Sequence, residues 1–374
     1  MPRHARITVD LDAIKHNARL LHSAAPDSIL CAVVKADGYG HGAIQAAGAA
    51  LEGGATWLGV ALVEEGVVLR DAGISVPILL LSEPPPDAME DAFRAGLTPT
   101  LYTSEGIEAA RSAARSAASQ GGPWSVHVKV DTGMHRVGVD PSVAPTLARA
   151  VWDSQELILG GTFTHLAVAD DPNRPETLEQ LERFDSAIAD IRAAGIDPGL
   201  LHTANSAGAL LHRNSHFNLV RTGISLYGYP PAPEVSEQCG DLRPALALGA
   251  EVTMLRTLDR GEGISYGLRH VVDRPTQVAV VPLGYADGVD RRFGLAGGHV
   301  LIGGRRCPVR GVVTMDQMVV ELPDDLEVHL GDEVVLIGTQ GDETVTADEW
   351  AELLGTISYE VLCRFSARVP RAYV

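Results

Sequence analysis

Eight short apolar runs alternate with helix-like stretches over the first two thirds of the chain, and the texture changes to strands and turns after residue 229. Together these predict an α/β protein: a (β/α)8 TIM-like barrel followed by a mostly β C-terminal domain. The runs are Ile29–Val34, Trp57–Val60, Pro77–Leu80, Leu97–Leu101, Trp124–Val130, Leu157–Thr164, Gly199–His202 and Asn218–Val220. Each has the length of a strand, and unbroken apolar runs are what strands buried on both faces require. Between them, Ala43–Leu51, Glu105–Ala118 and Glu176–Ala194 carry helical patterns, the second of them alanine-rich and suited to a surface helix. The Pro-rich stretch Tyr229–Glu237 reads as a linker. Beyond it, Leu246–Leu255, Gln277–Val281, His299–Ile302, Val309–Thr314, Met318–Leu322 and Glu333–Ile337 read as strands. Turns at Gly303-Gly304 and Gly331-Asp332 separate some of them, and one helix, Ala347–Leu354, interrupts. Arg6–Asp10 also has a strand pattern. The expected division is 11–238 for the barrel and 239–374 for the β-rich domain, joined by the N-terminal strand 1–10.

A chain of 374 residues, 45% hydrophobic, can fill the cores of two domains. The net charge of −18, with no basic cluster, argues against nucleic acid and anionic membranes as partners and leaves a small anionic ligand open. Cys31, Cys239, Cys307 and Cys363 are scattered without metal-ligand spacing, which suits a reducing compartment and no structural metal. The N-terminus lacks the apolar core of an export signal and reads as mature sequence. No stretch approaches the roughly 20 apolar residues of a membrane span. The expectation is a soluble, cytoplasmic protein.

In such barrels the reactive groups collect at the C-terminal ends of the strands. Lys35 closes the first run and is followed by Ala-Asp-Gly-Tyr-Gly-His-Gly42, with a helix expected from about residue 41. A lysine there either snorkels to the surface or becomes a nucleophile through a depressed pKa or a Schiff base. After the fifth run comes Lys129-Val-Asp-Thr-Gly-Met-His-Arg136, a charged loop that is either a solvated turn or a binding loop. His165 follows the sixth run and is either a structural or a catalytic histidine. After the seventh comes His202-Thr-Ala-Asn-Ser206, where Ser206 is able to donate to a phosphate. After the eighth comes Arg221-Thr-Gly-Ile224, where Gly223 and Ile224 offer backbone N–H groups. Each alone reads equally as a cap or a turn, but both fall on the two strands whose loops often hold phosphate. In the second domain, Tyr266 sits between glycines in Gly263-Ile-Ser-Tyr-Gly267.

Taken in order, these segments resemble the alanine racemases, barrel-type (fold type III) pyridoxal 5′-phosphate enzymes. The resemblance rests on Ala32–Gly42, Val130–Arg136, His202–Ser206, Val220–Gly228, Ile264–Gly267, Gly284–Gly288, Met315–Gln317 and Arg368–Arg371, and spans nearly the whole chain. It implies an isomerase that interconverts L-alanine and D-alanine and supplies D-alanine for peptidoglycan and cell wall biogenesis. It further implies a homodimer with active sites shared between subunits. Lys35 would carry the cofactor as a Schiff base and act as one base, with Tyr266 of the other subunit as the second on the opposite face. Tyr39, Ser206, Gly223, Ile224 and Tyr359 would hold the phosphate, with Asn205 beside them. Arg221 would face the pyridine nitrogen, His165 would lie against the ring, and Arg136 would approach the phenolic oxygen. Arg136 and the backbone of Met315 would hold the substrate carboxylate, and Lys129 would be carbamylated and orient Arg136. An arginine donates to the pyridine nitrogen without protonating it, which favours rapid reprotonation of Cα.

The sequence departs from the family pattern at Asp37 (often Asn), His135 (usually Gly), Thr314 (often Cys) and Val312 (often Arg). These leave the chemistry intact and bear on substrate preference, so a racemase of another or broader specificity, such as serine or lysine, is the alternative. A barrel-type decarboxylase would be expected to carry an acidic residue near the pyridine nitrogen, where Arg221 stands. A non-enzymatic pyridoxal-phosphate carrier resembles the barrel alone.

Overall fold

The computed structural model describes residues 4–117 and 121–374. The start of the N-terminal segment 1–10 and the last residue of the helix expected at Glu105–Ala118 lie outside the described residues. The chain forms two compact units. One comprises Asp12–Gly38 and Ala43–Pro244; the other comprises the chain up to Leu11, Tyr39–Gly42 and Ala245–Val374.

The strands are β1 (Ala5–Val9), β2 (Ile29–Val33), β3 (Trp57–Val60), β4 (Ile78–Leu80), β5 (Thr100–Leu101), β6 (Trp124–Lys129), β7 (Leu157–Phe163), β8 (Leu200–His202) and β9 (Leu219–Thr222). In the first unit, two parallel four-stranded sheets run β4-β3-β2-β9 and β5-β6-β7-β8. Both seams between them are bridged. Leu79 pairs with Thr98, just ahead of β5. On the other side, the N–H groups of Asn218 and Arg221 donate to Leu201 and Ala204 at 2.9 and 3.0 Å. The eight strands therefore close into a barrel. Leu30, Cys31, Ala32 and Val33 of β2 are all buried, as a strand between a packed interior and a helix layer must be.

The second unit shows the other strand grammar. β1 alternates buried and half-exposed or exposed residues and pairs antiparallel with β10 (Leu246–Glu251), which alternates likewise. The large sheet continues through β11 (Met254–Leu258), β14 (Thr276–Val281), β15 (His299–Ile302), β16 (Arg305–Arg310), β17 (Met318–Glu321), β18 (Glu333–Gln340) and β20 (Arg371–Tyr373). Its order is β11-β14-β17-β16-β15-β18-β10-β1-β20, with β19 (Glu343–Val345) against β18. A small hairpin, β12 (Gly263–Ile264) and β13 (His270–Val271), stands apart.

Several expectations are corrected. Leu246–Leu255 is two strands, because the chain changes partners at Val252 and Thr253: β10 pairs with β18, β11 with β14. The strand expected at Val309–Thr314 is Arg305–Arg310. It hairpins with β15 through Gly303-Gly304 and leaves the sheet at Gly311, whose φ is +72°. The Pro-rich stretch is not a loose linker, since Tyr229 and Val235 are buried. The barrel unit runs on to Pro244 rather than ending at 238. The Asn17 amide donates to Arg243 O and accepts from Arg243 N, both at 2.8 Å, so the helix Leu11–Ala24 holds this segment. The helix after Lys35 starts at Ala43, not near 41.

Gly228 closes the turn after β9 at φ +91°, and a Cβ there would overlap the Arg243 carbonyl. Gly228→Ala is expected to destabilise the protein by about 2 kcal/mol or more, read as a lower urea midpoint; an unchanged midpoint would refute this account of the turn.

Candidate active site

Lys35 follows β2 at the C-terminal end of the barrel and is half-buried. The backbone beyond it is unusual. Residues Ala36, Asp37, Gly38, Tyr39 and Gly40 all have positive φ, between +51° and +82°. L-residues resist this conformation by about 1–2 kcal/mol each, so surrounding bonds must impose it. Ala36 N donates to Glu65 Oε1 at 2.6 Å, and the other oxygen of Glu65 accepts from Ala61 N and Leu62 N. Asp37 Oδ1 accepts from Ala43 N at 2.9 Å and caps the next helix. Asp and Asn are the side chains that best tolerate left-handed backbone, which accounts for an acid replacing the amide at position 37. Glu65 was not legible as a site residue; its only local signal is an acid in the first turn of the helix Val63–Asp71, where it bonds back to the residue before the helix.

Arg221 lies on β9 beside Cys31 of β2 and is 4% exposed. Its guanidinium donates to His202 Nδ1 (2.7 Å), Thr164 O (2.8 Å), Thr203 O (3.1 Å) and His165 Nδ1 (3.4 Å), and its carbon lies 5.0 Å from the Phe163 ring centre. Every acceptor is neutral. Burial lowers its pKa to about 10, so it stays a cation at neutral pH. Among the described residues its Nε–H has no partner.

This cation fixes the protonation of its neighbours. Because arginine only donates, Nδ1 of His202 must accept, which puts the proton on Nε2. That nitrogen meets His127 Nδ1 at 2.9 Å, so His127 in turn carries its proton on Nε2, where no group among the described residues receives it. Burial, then the Arg221 charge, pushes His127 down to about 3 and His165 and His202 well below the ordinary histidine range. All three rings are neutral near pH 7. His127 and Lys129 are two apart on β6 and both buried; that alternation of polar residues inside an apolar strand is the signal that could have found His127.

Lys129 is 5% exposed, with Nζ 3.4 Å from Leu81 O and 5.4 Å from the Phe163 ring centre. Burial, then Arg221, Arg136 and Lys35, lowers its pKa to about 7. Arg136 is exposed and forms no bond with a protein group among the described residues. Its loop is built on Asp131, whose Oδ1 accepts from Gly133 N, Met134 N and His135 N, each at 3.0 Å. His135 has φ +53°, the conformation that explains why glycine suits this position.

After β8, the Asn205 side chain caps the helix Ser206–Leu211 by accepting from Gly208 N at 2.9 Å. Ser206 Oγ accepts from Gly223 N at 3.0 Å and Ser225 N at 3.5 Å. Backbone donors from the turn after β9 thus converge on one oxygen. Ile224 beside them is buried.

The remaining residues belong to the other unit. The Tyr39 and Tyr359 ring centres lie 6.2 Å apart. Burial pushes the Tyr39 hydroxyl well above the usual phenol range. Tyr266 is 70% exposed, and Leu268 and Val271 on the same hairpin are exposed too. Met315 is 52% exposed, and its N–H has no partner among the described residues. Thr314 shapes the turn that presents it: Thr314 N and Oγ1 donate to Gln317 O at 2.9 and 2.8 Å. Val312, a position expected at the mouth of the site, is buried, and its carbonyl accepts from Ser265 Oγ. Among the described residues no cluster of His, Cys, Asp or Glu could hold a metal ion, and no helix is long and apolar enough to cross a membrane.

A half-buried lysine, a buried arginine with neutral acceptors and converging amide donors, gathered at the C-terminal ends of barrel strands where such folds carry their reactive groups, mark a barrel-type enzyme site. Family models for the alanine racemase N-terminal and C-terminal domains match residues 9–231 and 245–373. Curated alanine racemases from Symbiobacterium thermophilum and Thermobifida fusca are 49% and 43% identical, covering 98% and 100% of this chain and 96% and 99% of theirs. The crystal structure of alanine racemase from Bacillus anthracis with bound L-Ala-P superposes with TM-score 0.93 at 37% identity, covering 100% of this chain and 96% of that one. That of the enzyme from D-cycloserine-producing Streptomyces lavendulae gives 0.93 at 38%, with 100% and 98% covered. The chain belongs to the alanine racemase family.

The depressed Lys129 has a signed consequence. Its folded pKa of about 7 lies below the ordinary 10.5. Between those values the unfolded chain holds the extra proton, so stability rises with pH through this window; below it both states are protonated and the buried cation destabilises in full. Without added ligand, the urea midpoint should rise from pH 7 to pH 9 relative to that of Lys129→Met. Parallel curves for the two proteins would show that Lys129 is not held near neutrality.

Proposed function

We propose that the chain racemises alanine with pyridoxal 5′-phosphate, using Lys35 and Tyr266 as bases on opposite faces of Cα. The observation that carries this is Arg221, a buried cation that, among the described residues, has an unpartnered Nε–H and no carboxylate among its hydrogen-bond partners. The barrel residues fit the cofactor. Amide donors of Gly223 and Ser225 already converge on a single oxygen, that of Ser206, as a phosphate oxygen would require. Ser206, Gly223, Ile224, Tyr39 and Tyr359 would hold the phosphate, with Asn205 fixing the turn that carries Ser206. Arg221 would donate to the pyridine nitrogen and His165 would lie against the ring. The bound cofactor supplies a conjugated ring that withdraws electron density from Cα.

The protein residues set the outcome. Arg221 keeps its proton at neutral pH, and as an N–H donor that is not an acid it would leave a pyridine nitrogen unprotonated, which would favour rapid return of the proton to Cα. Lys35 moves the proton on one face. Tyr266 is so exposed that a second copy of the chain would bring it to the other face; the exposed Leu268 and Val271 beside it give that hairpin the apolar surface of an interface. The reading is therefore of a cytoplasmic homodimer with shared sites, supplying D-alanine for peptidoglycan. Arg136 and the Met315 N–H would hold the substrate carboxylate. Lys129, with a pKa of about 7 beside Arg136, is partly a free amine able to add carbon dioxide and release a proton. The resulting carbamate would pair with Arg136.

A racemase of broader specificity is the second reading, because Val312 and Thr314 depart from the family pattern and a pocket separates one methylene by only about 1–3 kcal/mol. Optical rotation of L-alanine, L-serine and L-lysine with the purified protein and pyridoxal phosphate separates the two. Decay on alanine alone is expected. Faster decay on another amino acid would keep the mechanism and move the specificity, and no decay on any would overturn the proposal.

Each base is worth about 10²–10⁴ in rate. Lys35→Ala should lose the absorbance of lysine-bound cofactor, and Tyr266→Phe should keep it while losing turnover in at least one direction. A fully active Tyr266→Phe protein would refute the two-base reading. Lys129→Ala should lose activity and recover part of it with a small carboxylate such as acetate; unchanged activity would refute the carbamate.

A further inference from the structure

The segment Tyr39–Gly42 follows the barrel's first strand in sequence, yet it packs with the C-terminal unit. Arg371, on β20, is what reaches it. The guanidinium donates to four carbonyls: Nε to Gly40 O at 3.2 Å, Nη1 to Ser366 O at 2.7 Å and Val369 O at 2.9 Å, and Nη2 to Phe365 O at 2.7 Å. Gly40 immediately follows Tyr39, and Phe365 and Ser366 lie just beyond Ser358–Cys363, the helix that carries Tyr359. One planar fork therefore joins the backbone behind one tyrosine to the backbone behind the other. The fit is close on the far side too: a Cβ on Gly40 would overlap Leu362 O, so that peptide has no room to shift toward the helix.

We propose that Arg371 is a positioning residue for the cofactor phosphate: it sets the spacing of the Tyr39 and Tyr359 hydroxyls without touching the ligand. The proposal rests on the assignment of those tyrosines to the phosphate. Tyr39 is held at a positive φ of +53° in a run of left-handed residues, and such a run relaxes once a restraint at its end is removed. Lysine cannot replace the fork, because a single ammonium does not span several carbonyls in one plane. The residue also places the determinant of phosphate binding near the C-terminal end of the chain, on a strand paired with β1 through Ile7 and Arg371.

The test compares pyridoxal phosphate with pyridoxal, which lacks the phosphate, in absorbance titrations of cofactor-free wild type, Arg371→Lys, Arg371→Met, Tyr39→Phe and Arg371→Met/Tyr39→Phe. For the Arg371 variants, affinity for pyridoxal phosphate should fall about tenfold, the scale of one charged hydrogen bond, with pyridoxal affinity unchanged. The double variant should lose less than the sum of the two single losses, since the part of the Arg371 effect that runs through the Tyr39 hydroxyl is already gone in Tyr39→Phe. Equal loss for the two ligands, full additivity with Tyr39→Phe, or no loss would each overturn the proposal. So would failure of the conservative Arg371→Lys protein to fold, which would make Arg371 a staple of the fold. If wild type itself bound pyridoxal phosphate no better than pyridoxal, the phosphate assignment would fall instead.

Discussion

The site depends on a buried positive charge that has no negative partner among the described residues. Removing an ion from water is expensive unless its hydrogen bonds are replaced. Arg221 replaces them with two carbonyl oxygens and two histidine nitrogens, all uncharged. The consequences spread outward. His165 and His202 must present lone pairs to it, the rings stay neutral, and Lys129 is pushed toward neutrality in the same field. A carboxylate anywhere in this set would relax all of these constraints and also change what the arginine could do for a ring nitrogen. The barrel supplies the geometry: β9 carries Arg221, β6 carries His127 and Lys129, and β8 carries His202.

Some of this was legible in the sequence for plain reasons. Barrel strands are buried on both faces, so the eight runs are mostly apolar and of strand length, and β15 and the helix Ala347–Leu354 fall where their patterns end. What was hidden is what depends on distant partners. Leu246–Leu255 looks continuous because the switch of neighbours at Val252 leaves no mark on local composition. The hold of Asn17 on Arg243 joins positions far apart in the chain and has no local signature. The left-handed run after Lys35 is advertised by Asp37, Gly38 and Gly40, but Ala36 and Tyr39 are not residues that announce positive φ. Lys35 and Arg221 could be picked out by strand position, whereas Glu65, His127 and Arg371 act through bonds that only the fold creates.

The departures from the family pattern fall where backbone geometry is demanding. Asp37 and His135 both sit at positive φ, and each has a compensating bond nearby: Asp37 to Ala43 N, and His135 N to Asp131. Thr314 adds a hydroxyl that closes its own turn on Gln317. These substitutions alter how the loops are braced while leaving the groups they carry in place.

The exchange of segments between the two units has a consequence for dividing the chain. The family matches change over between residues 231 and 245, which suggests a natural cut. Yet β1 lies between β10 and β20 in the large sheet. A C-terminal fragment starting at Ala245 would lose that strand from between β10 and β20 and bare the backbone donors and acceptors of both neighbours. Open edges of this kind pair readily with other chains. Such a fragment would be expected to associate through β10 rather than persist as an independent module, and the segment Ala5–Val9 would serve it as a missing template strand.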